Sequence, residues 1–403
     1  MADTILALNA GSSSIKFALY EEGDPLRRSF GGVLDRIGAG GATLKFGKPG
    51  DKAAIEQLGD LDRKGAVHHL VDWLDRRFGL TSIAAVGHRL VHGGPHYGAP
   101  AEVTPALLAE LRAIVSFAPE HLPAALELIE HFVAEAPRLP QVACFDTSFH
   151  WNMPRVAKIL PIPRRFEAQG VRRYGFHGLS YAFLLQELAR IAGAEAAAGR
   201  VIFAHLGNGA SLAAVKAGKS IDTSMGFTPA AGIPMSTRSG DLDPGLVLYL
   251  AHAENMTASR FNTMVNHESG LRGVSETSAD MRDLLAREAA DPRAAEAISL
   301  FCYQTKKFIG AYAAALGGVD SLVFSGGIGE HAAPIRARIC EGLGFLGIDI
   351  DPARNDANAP VISAENSRVA VRVIPTDEEL MIAQATSELL RRSDPAPSER
   401  KTP

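Results

Sequence analysis

Leu6-Ala7-Leu8-Asn9-Ala10-Gly11-Ser12-Ser13-Ser14-Ile15-Lys16-Phe17-Ala18-Leu19-Tyr20 reads as an apolar strand, a turn of small residues and a second apolar strand. Gly11 permits a tight turn, and the small side chains let backbone N–H groups come close to an anion. Three hydroxyls, the Asn9 carboxamide and Lys16 surround the same point. Phosphate oxygens and a hydrated metal need that set of groups. A plain hairpin with a serine-rich turn would look the same here. The rest of the chain has to decide.

The design returns at Val201-Ile202-Phe203-Ala204-His205-Leu206-Gly207-Asn208-Gly209-Ala210-Ser211-Leu212. Setting Gly207 against Asn9 gives an offset of 207 − 9 = 198 residues, about half of the 403-residue chain. Gly11 then meets Gly209, and Ser13 meets Ser211. Two similar α/β domains, each with a β-turn-β phosphate grip, are expected to form a cleft. A third glycine-rich turn follows a strand at Leu322-Val323-Phe324-Ser325-Gly326-Gly327-Ile328-Gly329-Glu330, with a helix opening near Pro334. Gly327-Ile328-Gly329 is only a partial dinucleotide fingerprint, since Ala332 holds the third glycine position. Gly218-Lys219-Ser220 mimics the end of a P-loop, but Ala213 stands where the first glycine is required. Both are set aside.

A chain of this length favours two domains. A net charge of −4 gives no reason to expect nucleic acid or an anionic membrane surface as a partner. Cys144, Cys302 and Cys340 are few, odd in number and far apart, which suits a reducing compartment better than a disulfide frame. No signal peptide and no membrane span are read, so a cytoplasmic protein is expected. Strand patterns at 5–9, 15–20, 84–89, 141–145, 201–206, 211–215, 321–325 and 369–374 alternate with helical ones at 67–78, 105–117, 123–133, 181–192, 244–253, 294–316 and 378–391. Gly38–Gly50 reads as a loop or mobile hairpin, and Ser393–Pro403 as a frayed tail.

Polar residues gather at expected strand ends: Arg89 in His88-Arg89-Leu90-Val91-His92-Gly93-Gly94, Asp146 in Phe145-Asp146-Thr147-Ser148-Phe149-His150, and His177 in Arg172-Arg173-Tyr174-Gly175-Phe176-His177-Gly178. Arg238 in Thr237-Arg238-Ser239-Gly240-Asp241-Leu242-Asp243-Pro244 and Glu378 in Pro375-Thr376-Asp377-Glu378-Glu379 complete the set. One such loop charge usually means only solvation. These clusters, taken in order with the three glycine-rich turns from about residue 4 to 390, resemble the acetate/propionate kinase family of the actin-like and sugar-kinase superfamily.

The resemblance implies two duplicated actin-like ATPase (ribonuclease H-like) domains with an interdomain active-site cleft. The N-terminal domain would span 1–150, with 380–403 packing back on it, and the nucleotide-binding domain 151–379. It further implies a homodimer and Mg²⁺ dependence, with Mn²⁺ as a substitute. The implied reaction is reversible in-line phosphoryl transfer between ATP plus acetate and ADP plus acetyl phosphate. Propionate or another small acid is the alternative acceptor, and a non-metabolic ATPase switch is the alternative of another class. Asn9 and Glu378 would hold the hydrated metal. Arg89 and Arg238 would bracket the carboxylate and the phosphoryl group in flight, with His177 donating to its equatorial oxygens. Asp146 is the family's acid/base residue. Because acetate is already ionised, a role in orienting Arg89 or the metal shell is preferred here.

Val91, Phe176 and Pro229 would line the acyl pocket beside Arg89. Lys16, Ser12, Ser14, His205, Leu206, Gly207, Asn208 and Gly209 would meet the ATP phosphates. Asp280, Met281, Arg282, Gly326, Gly327, Ile328, Gly329, Glu330, His331 and Ile335 would surround the remainder of the nucleotide. The chain departs from the family pattern at Glu120 and Leu122, at Leu179 and Tyr181 after Phe-His-Gly, and at Ile233-Pro234-Met235-Ser236. All lie toward the acyl end. A buried carboxylate at Glu120 would disfavour a second one beside it, so Glu120 either faces away or signals a different acid.

Overall fold

The computed structural model describes residues 4–11 and 13–393. Ser12 and residues 394–403 lie outside the described residues. The chain divides into two compact units, one containing the described residues up to Ser148 and from Asp377 onward, the other Phe149–Thr376.

The first unit carries an eight-stranded sheet. Its strands are β1 (Thr4–Ala10), β2 (Ile15–Glu21), β3 (Arg27–Asp35), β4 (Ala42–Gly47), β5 (Ala54–Gly59), β6 (Ile83–Leu90), β7 (Ala101–Glu102) and β8 (Gln141–Phe145). Their order is β5-β4-β3-β2-β1-β6-β8-β7. The segment 38–50, expected as a loop or mobile hairpin, contains β4, which pairs antiparallel with β3 and β5. Its glycines serve the turns, while Ala42 and Leu44 point into the core. Helix Arg63–Phe78 starts where Asp62 accepts from the Gly65 N–H and stops at left-handed Gly79. Its apolar face (Val67, Leu70, Val71, Leu74) packs with Phe17, Phe30 and Leu34 of the sheet.

The second unit carries β9 (Arg200–Leu206), β10 (Ala210–Lys216), β11 (Lys219–Thr223), β12 (Ser321–Ser325) and β13 (Ala370–Val373), ordered β11-β10-β9-β12-β13. The run β3-β2-β1-β6-β8 has the same plan. In both, the first three strands pair antiparallel and the last two join in parallel. The repeat at an offset of 198 residues is therefore a repeat of topology, and the fold is a duplicated, actin-like α/β design. Lys219, the P-loop decoy, opens β11 after a turn with Ala217 and Gly218 both at positive φ. Helix Pro292–Leu316 is capped by Asp291 and ended by left-handed Gly317, and it buries Ala294, Ile298, Phe301, Ile309 and Leu316 on one face.

The last helix, Glu378–Ser393, returns to the first unit and packs on β1, β6 and β8. Glycine at position 87 of β6 makes that possible. A Cβ there would stand 2.3 Å from Thr386 Oγ1 and 2.5 Å from Ile382 Cγ2. The division at Thr376/Asp377 comes three residues before the expected boundary at 379, so Glu378 and Glu379 belong with β1 and β6.

Candidate active site

In the first unit, Asn9 near the end of β1, Arg89 near the end of β6, Asp146 just past β8 and Glu378 at the start of the last helix converge. Three neighbouring strands thus end beside the helix that packs on them. Arg89 donates from Nη2 to Asp146 Oδ2 at 2.6 Å and from Nε to the same oxygen at 3.2 Å. Its Nη1 donates to Asn9 Oδ1 at 3.2 Å, and Glu378 Oε2 lies 3.9 Å from its Nε. Asn9 Nδ2 in turn donates to Glu378 Oε2 at 2.8 Å and to Glu379 Oε1 at 3.0 Å. Asp146 is fully buried. Burial works against the Arg89 charge, but Asp146, Glu378 and Glu379 more than offset it and hold that guanidinium above its ordinary pKa.

This is a fixed cation inside a ring of carboxylates. The sequence reading makes Asn9 a metal ligand. In the structure its Oδ1 accepts from Arg89 and its amide donates to both glutamates, which ties it to Glu378 in the same cluster. Glu379 belongs to the site and was not among the expected residues. Its signal in the sequence is only adjacency to Glu378. Mg²⁺ keeps waters and uses one or two protein carboxylates plus substrate phosphates. Glu378 and Glu379, held side by side at a helix start, fit that donor set.

In the second unit the turn Gly207-Asn208-Gly209 joins β9 to β10, with Gly207 N–H donating to Gly209 C=O at 3.0 Å. His177 stands at the start of helix Gly178–Ala192 with left-handed backbone, φ 57°. Its ring stacks on His205 with centroids 4.3 Å apart, and its Nδ1 lies 2.8 Å from Ser211 Oγ. A Cβ on Gly209 would meet His177 Nε2 at 3.0 Å and Arg238 Nη1 at 3.5 Å. Glycine is therefore what lets an imidazole and a guanidinium close over this turn. Arg238 Nη1 also donates to the Pro229 carbonyl at 3.2 Å. Donors massed over a bare backbone turn suit a phosphoryl group.

Residues 4–384 match the acetokinase family. The chain is 47% identical over 394 residues to an acetate kinase of Rhodopseudomonas palustris, covering 95% of this chain and 98% of that protein. Among solved structures it is similar to a propionate kinase from Francisella tularensis, with TM-score 0.89, 37% identity and coverage of 96% and 99%. It is likewise similar to Porphyromonas gingivalis acetate kinase, with TM-score 0.85, 38% identity and coverage of 96% and 100%. This chain belongs to the acetokinase family.

The remaining expected positions fall as follows. Lys16 pairs in register with Asn9 and lines, with Arg28, Lys45 and Glu379, a cavity of about 410 Å³ in the first unit. Ser14 C=O accepts from Gly11 N–H at 2.8 Å, closing the first turn, while Ser12 lies outside the described residues. Val91, Phe176 and Pro229 are buried. Asp280 caps the helix that carries Met281 and pairs with Arg282 on the surface, Nη2 to Oδ2 at 2.5 Å. Residues Gly326–His331 form a short helix where a turn was expected. Glu330 Oε1 accepts from Gly326 N–H at 2.9 Å, which gives that carboxylate a structural task. His331 is exposed and Ile335 lies in the core. Glu120 is half-buried in the turn before helix Leu122–Glu135.

Proposed function

We propose that this chain transfers the γ-phosphoryl group of ATP reversibly and in line to acetate, giving acetyl phosphate and ADP. The observation that carries the reading is Arg89, a guanidinium fixed by Asp146 and Asn9 at the ends of β6, β8 and β1. A carboxylate acceptor requires such a planar cation, whereas an ATPase switch needs only a positioned water. Acetate needs no general base, so Asp146 orients Arg89. Arg238 and His177, over the Gly207–Gly209 turn, donate to the phosphoryl oxygens as charge spreads over them. The residues expected around the nucleotide, from Asp280 to Ile335, serve the adenosine end. Mg²⁺, with Mn²⁺ as a substitute, neutralises phosphate charge when bound, and Asn9 and Glu378, with Glu379 beside them, would hold its shell.

We also propose a homodimer. On helix Gly245–Glu254, Leu248 and Tyr249 are 65% and 66% exposed, and Tyr303 on helix Pro292–Leu316 is 60% exposed, which is costly for a monomer in water. A reducing, cytoplasmic setting suits three buried free thiols. No helix among the described residues is long and apolar enough to cross a membrane.

A hydroxamate assay for acyl phosphate with formate, acetate, propionate and butyrate tests the reading. Acetate is expected to give the highest kcat/KM. A higher value for propionate would move the acceptor assignment to the longer acid, and ATP hydrolysis with no acyl phosphate from any acid would defeat the kinase reading.

A further inference from the structure

Two pairs of hydroxyls stand behind the stacked imidazoles of the second unit. Thr376 Oγ1 donates to Ser180 Oγ at 2.8 Å, and Ser180 Oγ lies 2.8 Å from His205 Nδ1. Tyr181 Oη lies 2.5 Å from Ser211 Oγ, and Ser211 Oγ lies 2.8 Å from His177 Nδ1. Ser180, Tyr181 and Ser211 are all fully buried. Each pair is a short line of two hydroxyls ending on a ring nitrogen.

A hydroxyl has one proton to give. Thr376 gives its proton to Ser180, so Ser180 directs its own to His205 Nδ1. In the second line the phenol is the more acidic hydroxyl and the stronger donor, so Tyr181 gives its proton to Ser211 and Ser211 gives its own to His177 Nδ1. An Nδ1 that accepts carries no hydrogen, and a neutral imidazole then has its proton on Nε2. His177 Nε2 is the atom that a Cβ on Gly209 would meet at 3.0 Å, and His205 Nε2 is the one a Cβ on Gly207 would meet at 3.8 Å. Both N–H groups are thus aimed at the glycine turn. Two imidazolium rings stacked at 4.3 Å would repel each other, which favours donors that are neutral.

We propose that these buried hydroxyl lines fix His177 and His205 in the Nε2–H tautomer, with Tyr181 the positioning residue for His177. The kinetic part of the proposal rests on the kinase reading, but the tautomer part does not.

The experiment is ¹⁵N NMR of histidine-labelled protein, with His177 and His205 assigned by single His→Gln replacements, alongside steady-state kinetics. Wild-type protein is expected to show Nε2–H at both rings. Tyr181→Phe should leave His205 unchanged, give His177 a mixture of tautomers and lower kcat roughly tenfold, the effect of one lost orienting hydrogen bond. KM for ATP and for the acid should stay within about twofold, since ground-state binding is untouched. Ser211→Ala should match Tyr181→Phe, and the double variant should be no slower than the slower single, because both cut the same line. Multiplicative losses would indicate a merely structural role and overturn the proposal, as would a fully Nε2–H His177 in Tyr181→Phe. If that variant does not fold, the wild-type spectrum decides, and Nδ1–H at His177 refutes the assignment. Protein that shows the expected tautomers but makes no acyl phosphate would leave the relay standing and defeat the kinase reading instead.

Discussion

Arg89 shows how far a single side chain can be committed by its neighbours. Its three nitrogens are spent on Asp146 and Asn9, and Glu378 lies within 3.9 Å. Fixed guanidinium charge is worth most where the transition state gathers negative charge. Arg89→Ala is expected to lower kcat by roughly 10²-fold or more with little change in ADP affinity. Arg89→Lys should recover little of this, because an ammonium cannot reproduce the forked contact with Asp146. Steady-state rates with ADP titration calorimetry check both, and a lysine variant at the wild-type rate would remove the orienting role given to Asp146. Arg89 was legible from its motif. Its partners are only partly so: the sequence leaves Asp146 to orient either Arg89 or the metal shell, and the contacts of Asn9 with Glu378 and Glu379 span 369–370 residues that no local pattern encodes.

At the scale of elements, two glycines have separable jobs. Gly209 leaves room for His177 Nε2 and Arg238 Nη1 over a hairpin turn, and Gly87 leaves room for a whole helix over β6. Gly209→Ala should therefore lower kcat by about tenfold while the melting temperature stays close to wild type. Gly87→Ala pushes on Ile382 and Thr386 and should destabilise by about 1–3 kcal/mol. Urea unfolding and turnover measured on both variants test this. Loss of stability in Gly209→Ala with normal turnover would reverse the two roles. The turn at Gly209 could be seen in the sequence because strand, glycines and strand are contiguous. That 380–403 packs on the N-terminal domain follows from the resemblance, but its seat over Gly87 is not legible, since Gly87 and Ile382 are far apart in the chain. β4 is legible only as the hairpin alternative, because glycines at both ends flank a six-residue strand whose alternation is short. Glu330, expected at the nucleotide, also closes its own helix by accepting from the Gly326 N–H. A carboxylate in a glycine-rich turn reads the same way for either task.

The whole molecule repeats one topology, and that was legible because each copy opens with the same strand, small-residue turn and strand. Hidden from the sequence was that each unit also buries a histidine that its mechanism does not use. His88 in the first unit donates from Nε2 to Gln141 Oε1 at 2.8 Å, and its buried Nδ1 has no hydrogen-bond partner among the described residues. His150 in the second donates from Nε2 to the Phe176 carbonyl at 3.1 Å and accepts from Ser220 at Nδ1. Protonating His88 would place a hydrogen at Nδ1 where no acceptor waits among the described residues, and protonating His150 would put a charge in a dry interior and force Ser220 to turn from donor to acceptor. Burial accordingly pushes both down to about 4 from 6.5. Between those values the unfolded chain binds protons that the folded one refuses, so stability rises with pH across this window and falls as pH drops from 6.5 toward 4. Each histidine should contribute about 3 kcal/mol of that loss. Urea midpoints measured from pH 7.5 to 4 should fall less steeply for His88→Gln and for His150→Asn than for wild type, in which both rings resist protonation. Parallel curves for all three proteins would mean that the two rings take up protons in the folded state as easily as in the unfolded one, and the acid sensitivity would then have to come from the carboxylates around Arg89.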